Sequence, residues 1–268
     1  MLNPFLVRPD PSSNLVIREN EVHIWLVQTN GESISLGDFK DLLSSVEQDR
    51  ASKFKFETNR RRYITAHAAL RSILSSYVNS PARELQFASG PYGKPKLAPI
   101  HDKKKIAFNL SHSHEVALIA ITQGREIGVD VEWVRENFAF DEVAQRFFTA
   151  REVAALHALP LHLQREAFYK CWTSKEAFLK AKGTGLSGQL DEVEMGLTDH
   201  GVRVKGTVPN LSLIDLTVDG GYVAALVVDR VEPRLTYYAW ESRSNNLTIV
   251  TRDWLRPERP RSTLKKPG

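Results

Sequence analysis

Two acidic residues alternate in the segment Ile127-Gly128-Val129-Asp130-Val131-Glu132-Trp133. In an extended chain alternate side chains share a face, so Asp130 and Glu132 point one way and Val129 and Val131 the other. Two carboxylates on one face repel unless a cation lies between them. A hard divalent ion meets that need, and Mg2+ is typically held by one or two carboxylates together with substrate phosphates. The plain alternative is a solvated acidic face. Gly128, just before the pair, lets another backbone or a ligand come close. A second set of chemically able residues lies in Trp172-Thr173-Ser174-Lys175-Glu176-Ala177-Phe178-Leu179-Lys180. Trp172, Glu176 and Lys180 recur at i, i+4 and i+8, near one face of a helix. An acid and a lysine so placed suit a metal and a phosphate, or else form an ordinary surface pair. Cys171 is the only cysteine. Nothing beside it forms a nucleophile-base arrangement, so it reads as a small core residue, and no internal disulfide is possible.

The surrounding pattern predicts the elements that position these groups. Val22 to Val27 reads as an early strand. Leu42 to Phe56 reads as helical. A second helix fits Arg62 to Val78, with Tyr63, Ala66, Leu70, Ile73, Leu74 and Tyr77 at helical spacing. Ser89 to Pro95 is a turn cluster. Lys105 to Leu110 and Val116 to Ile121 read as strands joined by the polar segment Ser111-His112-Ser113-His114-Glu115, and Ile127 to Trp133 as a third strand. A long helix follows from Arg165 to Lys182, stopped by Gly183-Thr184-Gly185. Leu211 to Val218 and Tyr222 to Val228 fit later strands. The second half loosely repeats the first: Arg146-Phe147-Phe148 resembles Lys53-Phe54-Lys55-Phe56, and a long helix follows each. This predicts two related α+β halves, 1–124 and 125–241, with a site between them. The extension 242–268 is polar, with a last part expected to be mobile.

Bulk properties narrow the classes. The chain has 268 residues, 42% hydrophobic and 25% charged, as in soluble globular proteins. It has no sustained apolar run of the kind that leads secretion or spans a bilayer, which predicts a cytoplasmic protein without a membrane partner. The formal charge is +4. Residues 251–268 hold six cations (Arg252, Arg256, Arg259, Arg261, Lys265, Lys266) against Asp253 and Glu258, which is the whole excess. Overall basicity is therefore no argument for nucleic acid. A local basic stretch does stand out: Arg50, Lys53, Lys55, Arg60, Arg61 and Arg62.

Taken in order, Gly93-Lys94-Pro95, Phe108-Asn109-Leu110-Ser111-His112-Ser113, Gly128-Val129-Asp130-Val131-Glu132 and Trp172 to Lys180 resemble the successive motifs of 4′-phosphopantetheinyl transferases of the surfactin-synthetase-activating type. Arg50-Ala51-Ser52-Lys53-Phe54 and Leu70-Arg71 add to the likeness, which spans roughly residues 20 to 240 and is similar to cyanobacterial members of the family. The resemblance implies a pseudo-dimer of two similar α+β halves related by a pseudo-two-fold, with the active site between them. It implies a monomer that transfers phosphopantetheine from coenzyme A to a carrier-protein serine, releasing 3′,5′-ADP. The carriers it implies are acyl or peptidyl carriers of fatty-acid, polyketide or peptide synthesis. The implied metal ligands are Asp130, Glu132 and Glu176, for Mg2+ or, in its place, Mn2+. Lys180, Lys94, Ser111, His112 and Arg50 are the implied phosphate and coenzyme A contacts, with Lys53 an addition; Glu176, Lys180 and Asp130 are the implied catalytic set. His67 departs from the arginine of many relatives and is either a weaker phosphate partner or a packing residue. Two alternatives stay open: a Mg2+-dependent pyrophosphate hydrolase using the same three acids, and a nucleic-acid binder using residues 50–62, which leaves those acids unexplained.

Overall fold

Apolar, β-prone runs and two long amphipathic stretches build the chain. The computed structural model describes residues 15–30, 36–184, 194–198, 201–204, 211–229, 233–243, 246–249 and 255–257. The chain runs β1 (Glu21–Gln28), α1 (Leu36–Lys40), α2 (Ser45–Ser52), α3 (Glu57–Val78), a 3-10 turn (Ala82–Glu84), β2 (Phe87–Ser89), β3 (Pro95–Leu97), β4 (Ile106–Ser113), β5 (Val116–Gln123) and β6 (Ile127–Trp133). It continues with α4 (Phe140–Phe147), α5 (Ala150–Ala158), α6 (Leu161–Lys182), β7 (Met195–Thr198), β8 (Gly201–Val204), β9 (Leu211–Val218), β10 (Tyr222–Asp229), β11 (Arg234–Arg243), β12 (Asn246–Ile249) and β13 (Leu255–Pro257).

Most expected elements appear, with differences of physical origin; α6 starts at Leu161 and not Arg165, directly after Pro160. The helix expected over Leu42 to Phe56 is only Ser45–Ser52, because Ser44 and Glu47 close a capping box that starts it. Helix α3 begins at Glu57 and not at Arg62, since its first turn is exposed and carries no apolar period. The polar segment expected to join two strands is largely strand itself: β4 runs on to Ser113. Gly183 ends α6 as expected, with φ 70° and its N–H bonded to the Leu179 carbonyl.

Two sheets carry the architecture. One has the order β12-β11-β1-β5-β4 and the other β13-β9-β10-β6. Side-chain parity sorts their residues into layers. Val22, Ile24 and Leu26 of β1 and Val116, Leu118 and Ala120 of β5 meet Ile127, Val129 and Val131 of β6 and Ala224, Leu226 and Val228 of β10 in one core between the sheets. The opposite face of the first sheet packs Trp25, Phe108, Ile119 and Ile121 with Leu70, Ile73, Leu74 and Tyr77 of α3. The opposite face of the second packs Val223, Ala225 and Val227 with Phe168, Cys171 and Phe178 of α6. The order is thus helix, sheet, sheet, helix, a mixed α/β arrangement.

Sequence halves and sheets do not coincide fully. Strand β11, beyond the expected division at 124/125, pairs in parallel with β1 and so belongs to the first sheet. Parts of the expected C-terminal extension are strands too, with β12 on β11 and β13 on β9. Residues 258–268, the last part of that extension, lie outside the described residues. Among the described residues no helix is long and apolar enough to cross a membrane.

The long helices share one positioning device. Glu47, in the capping box of α2, pairs with buried Arg71 of α3 (Nη2 to Oε2, 2.7 Å). Glu152, in the capping box of α5, pairs with buried Lys175 of α6 (2.8 Å). Each cation stands fourteen residues after the first residue of its 22-residue helix.

Gly128 sets how closely α6 approaches β6. A Cβ built there would lie 2.0 Å from the Ala177 carbonyl oxygen and 2.4 Å from the Ala181 nitrogen. Both are backbone atoms that cannot swing aside. Gly128→Ala should therefore cost about 3 kcal/mol or more in urea unfolding, at or above the top of the usual overpacking range. Gly90→Ala, whose Cβ would meet only the Lys94 carbonyl at 3.5 Å, should be nearly neutral.

Candidate active site

Edge strands β4 and β6, one from each sheet, lie side by side without a backbone ladder, and side chains join them. Asn109 Oδ1 accepts from the Val129 N–H at 2.8 Å. Ser111 Oγ donates to Asp130 Oδ1 at 2.7 Å, and Ser113 Oγ donates to Glu132 Oε2 at 2.7 Å while accepting from the Trp133 N–H at 3.1 Å. Asn109, Ser111 and Ser113 share one face of β4 by period two, matching the alternation of Asp130 and Glu132 on β6. Gly128, Asp130 and Glu132 share the face of β6 that meets α6. The helix delivers Lys180, whose Nζ lies 2.5 Å from Asp130 Oδ1 and 2.9 Å from Ser111 Oγ. Glu176, one turn earlier, presents a half-buried carboxylate.

The electrostatics are those of crowded acids. Burial, then the negative charge of Asp130, raises Glu176 to about 6, with Lys180 opposing and Glu132 adding. Burial and Asp130 also raise Glu132, against the Ser113 hydrogen bond. Asp130 Oδ2 and Glu176 Oε1 are buried without hydrogen-bond partners. Among the described residues no three His, Cys, Asp or Glu side chains already form a metal-binding group; at Asp130 the Lys180 ammonium supplies the positive charge. Hard carboxylate donors, two of them with an unpartnered oxygen, fit Mg2+ or Mn2+.

The expected coenzyme A contacts separate into groups. His112 alternates with the two serines and faces the α3 side of β4. Its imidazole is lowered by desolvation and then by the positive charges of His67, Lys180 and Arg50. Arg50 lies over the Tyr63 ring, 5.7 Å from its centroid, and the His67 ring lies 4.1 Å from the same ring. Lys53 forms an exposed pair with Asp49 at 2.6 Å. Lys94 donates to the carbonyls of Ile127 (2.9 Å) and Ala181 (3.0 Å), tying the β2–β3 hairpin to the start of β6 and the end of α6. Burial lowers its amine to about 8, with Glu126 opposing. Cys171 is fully buried, as expected of a core residue, and burial pushes its thiol up. Sequence reasoning passed over Ser113 and Glu47. Ser113 was legible once the polar segment is read as strand, because it repeats the period of Ser111.

Comparison with known proteins points to one family. Residues 126–227 match the 4′-phosphopantetheinyl transferase superfamily, and residues 35–124 match the N-terminal region of 4′-phosphopantetheinyl transferase. The chain is 37% identical over 215 residues to the 4′-phosphopantetheinyl transferase HetI of Nostoc sp., covering 80% of this chain and 90% of that protein. It is 36% identical over 170 residues to slr0495 of Synechocystis sp., provisionally assigned the same activity, covering 63% and 68%. It is 29% identical over 163 residues to the transferase Sfp of Bacillus subtilis, covering 61% and 70%.

The raised carboxyl of Glu176 has a consequence for stability. A folded value of about 6 against 4.5 means that the cost of its charge appears as pH rises through that window and is complete above it. In chelator-treated protein, Glu176→Gln should therefore be more stable at pH 7.5 by about 1 kcal/mol, the 1.36 kcal/mol per unit being roughly halved by solvent screening of a partly exposed group. The gain should vanish below pH 4.5. Thermal unfolding at both pH values checks this, and equal midpoints for both proteins at pH 7.5 count against acid crowding.

Proposed function

The chain belongs to the 4′-phosphopantetheinyl transferase family, and on that premise we propose that it transfers the phosphopantetheine arm of coenzyme A to a carrier-protein serine. The observation that carries this is the 37% identity to HetI over 80% of the chain. The acid and lysine cluster between β4, β6 and α6 supports it as the place of reaction.

In the proposed reaction the carrier serine oxygen bonds to the β-phosphorus of coenzyme A. The bond from that phosphorus to the bridging oxygen breaks, and 3′,5′-ADP leaves with the electron pair. The serine proton passes to a base. Glu176 is the proposed base, directly or through a water, since one of its carboxylate oxygens has no hydrogen-bond partner. Lys180 places positive charge where the leaving oxygens gain negative charge. Ser111 orients both Lys180 and Asp130, and Ser113 orients Glu132. Asp130, Glu132 and Glu176 would hold a Mg2+ ion, which when bound neutralises and orients a diphosphate. Arg50, with Tyr63 and His112 nearby, is the proposed holder of the 3′-phosphate. Lys94 and Lys53 are weaker members of that set, because their ammonium groups are already engaged.

We read the two halves as a repeated unit with a pseudo-two-fold between them. The matched pairs Glu47–Arg71 and Glu152–Lys175 on equal-length helices support this. The site then falls between the halves, and one chain completes it, in keeping with a monomer acting on acyl or peptidyl carriers.

Mass spectrometry of an apo carrier protein incubated with coenzyme A, Mg2+ and this protein should show the gain of one phosphopantetheine arm. Asp130→Ala should abolish that gain while keeping a cooperative thermal transition. Free phosphopantetheine with no carrier adduct would instead support a hydrolase. Arg50→Ala should raise the KM for coenzyme A about tenfold, roughly 1.4 kcal/mol of lost binding, and spare 3′-dephospho-coenzyme A. Equal effects on both substrates reject the 3′-phosphate contact.

A further inference from the structure

A carboxylate beside a proposed phosphate site needs a physical reason, because it repels the ligand. Glu47 is such a group. It lies on α2, three residues before Arg50. Its Oε2 accepts from Arg71 Nε (2.8 Å) and Nη2 (2.7 Å) and from the Ser44 hydroxyl (2.7 Å) and N–H (2.8 Å). Its Oε1 lies 3.4 Å from His67 Nδ1. Arg71 is 1% exposed, and its remaining nitrogen donates to the Ala82 and Leu85 carbonyls. Glu47 is thus neutralised by a buried cation that has no freedom to move. Beyond it, Arg50 and His67 flank Tyr63, and His112 feels positive charge from His67, Lys180 and Arg50. Arg50 and His67 thus meet at one aromatic ring, and Glu47 brackets the two helices that carry them.

We propose that Glu47 is a positioning residue for the coenzyme A end of the site. By holding Arg71 and His67 it sets α2 against α3 at the spacing that places Arg50 over the Tyr63 ring. It thereby governs discrimination between coenzyme A and the 3′-dephospho form. This rests on the reading of Arg50 as the 3′-phosphate contact. The equivalent bracket in the other half, Thr149–Glu152–Lys175, supplies a matched comparison, since it uses the same capping box on a helix that carries none of the proposed 3′-phosphate contacts.

The test is steady-state kinetics with coenzyme A and 3′-dephospho-coenzyme A, together with thermal midpoints, for the wild type and four variants. Glu47→Gln should raise the KM for coenzyme A about tenfold, with kcat and the KM for the dephospho form changed by less than about twofold, tenfold being about 1.4 kcal/mol. Ser44→Ala keeps the charge opposite Arg71 and so keeps the fold, while loosening Glu47; it should shift the same ratio about threefold. Thr149→Ala should lower the midpoint comparably but leave the ratio unchanged. A ratio that moves in Arg50→Ala but in neither Glu47→Gln nor Ser44→Ala overturns the proposal and spares the Arg50 reading. Equal movement in Thr149→Ala overturns it as well. A ratio unmoved in Arg50→Ala overturns the Arg50 reading and the proposal with it.

Discussion

Helix α6 rests on strand β6 at Gly128, backbone against backbone, and the chemistry of the molecule follows from that contact. Any side chain there would collide with the main chain of Ala177 and Ala181. Removing it lets the helix come down until Lys180 reaches Asp130 and Glu176 shares their field. A helix held further out by even one methyl group would leave the strand acids facing solvent. The glycine therefore shapes the acid and lysine cluster through packing alone.

The same contact creates an electrostatic imbalance that folding alone does not remove. Asp130 raises the charge cost of Glu132 and Glu176, the Lys180 ammonium contacts Asp130, and two carboxylate oxygens are buried without partners. Buried unsatisfied acceptors cost free energy unless a ligand or ion satisfies them. The protein tolerates this because the load is spread. Ser111 and Ser113 each donate a hydrogen bond to one acid, and Lys180 answers Asp130. The serines have a second task, for together with Asn109 they are the seam between two sheets that share no ladder at that edge. The seam and the acid cluster are therefore built from the same side chains.

Buried ion pairs hold the surrounding frame in register. Glu47 with Arg71 and Glu152 with Lys175 lock a short capped helix to each long helix. Such pairs add little net stability over apolar packing but resist displacement strongly, since shifting one partner strands a buried charge. That property suits positioning. In the first half the lock lies beside Arg50 and His67; in the second it lies next to Glu176 in sequence.

Several features were decided by the sequence itself. Strand alternation placed Asp130 and Glu132 on one face, helical spacing aligned Glu176 with Lys180, and Gly128 and Gly183 marked a close approach and a helix stop. These are local periodicities, and local geometry obeys them whatever surrounds it. Four motifs in order carried the family. Tertiary structure alone decided the rest. The start of α3 and the extent of α2 depended on an exposed first turn and on a cap, which apolar periodicity does not register. Ser113 reads as a connecting residue in the sequence, whereas β4 extends to it beside β6. Lys94 carried no sign that its ammonium would bind two carbonyls across the hairpin, nor did β11 show that it would return to the first sheet. Glu47 and Arg71 lie 24 residues apart, and no local rule pairs them. Each of these depends on which distant segment lies opposite. That is set by the burial of whole faces against each other and is absent from the spacing of any one segment.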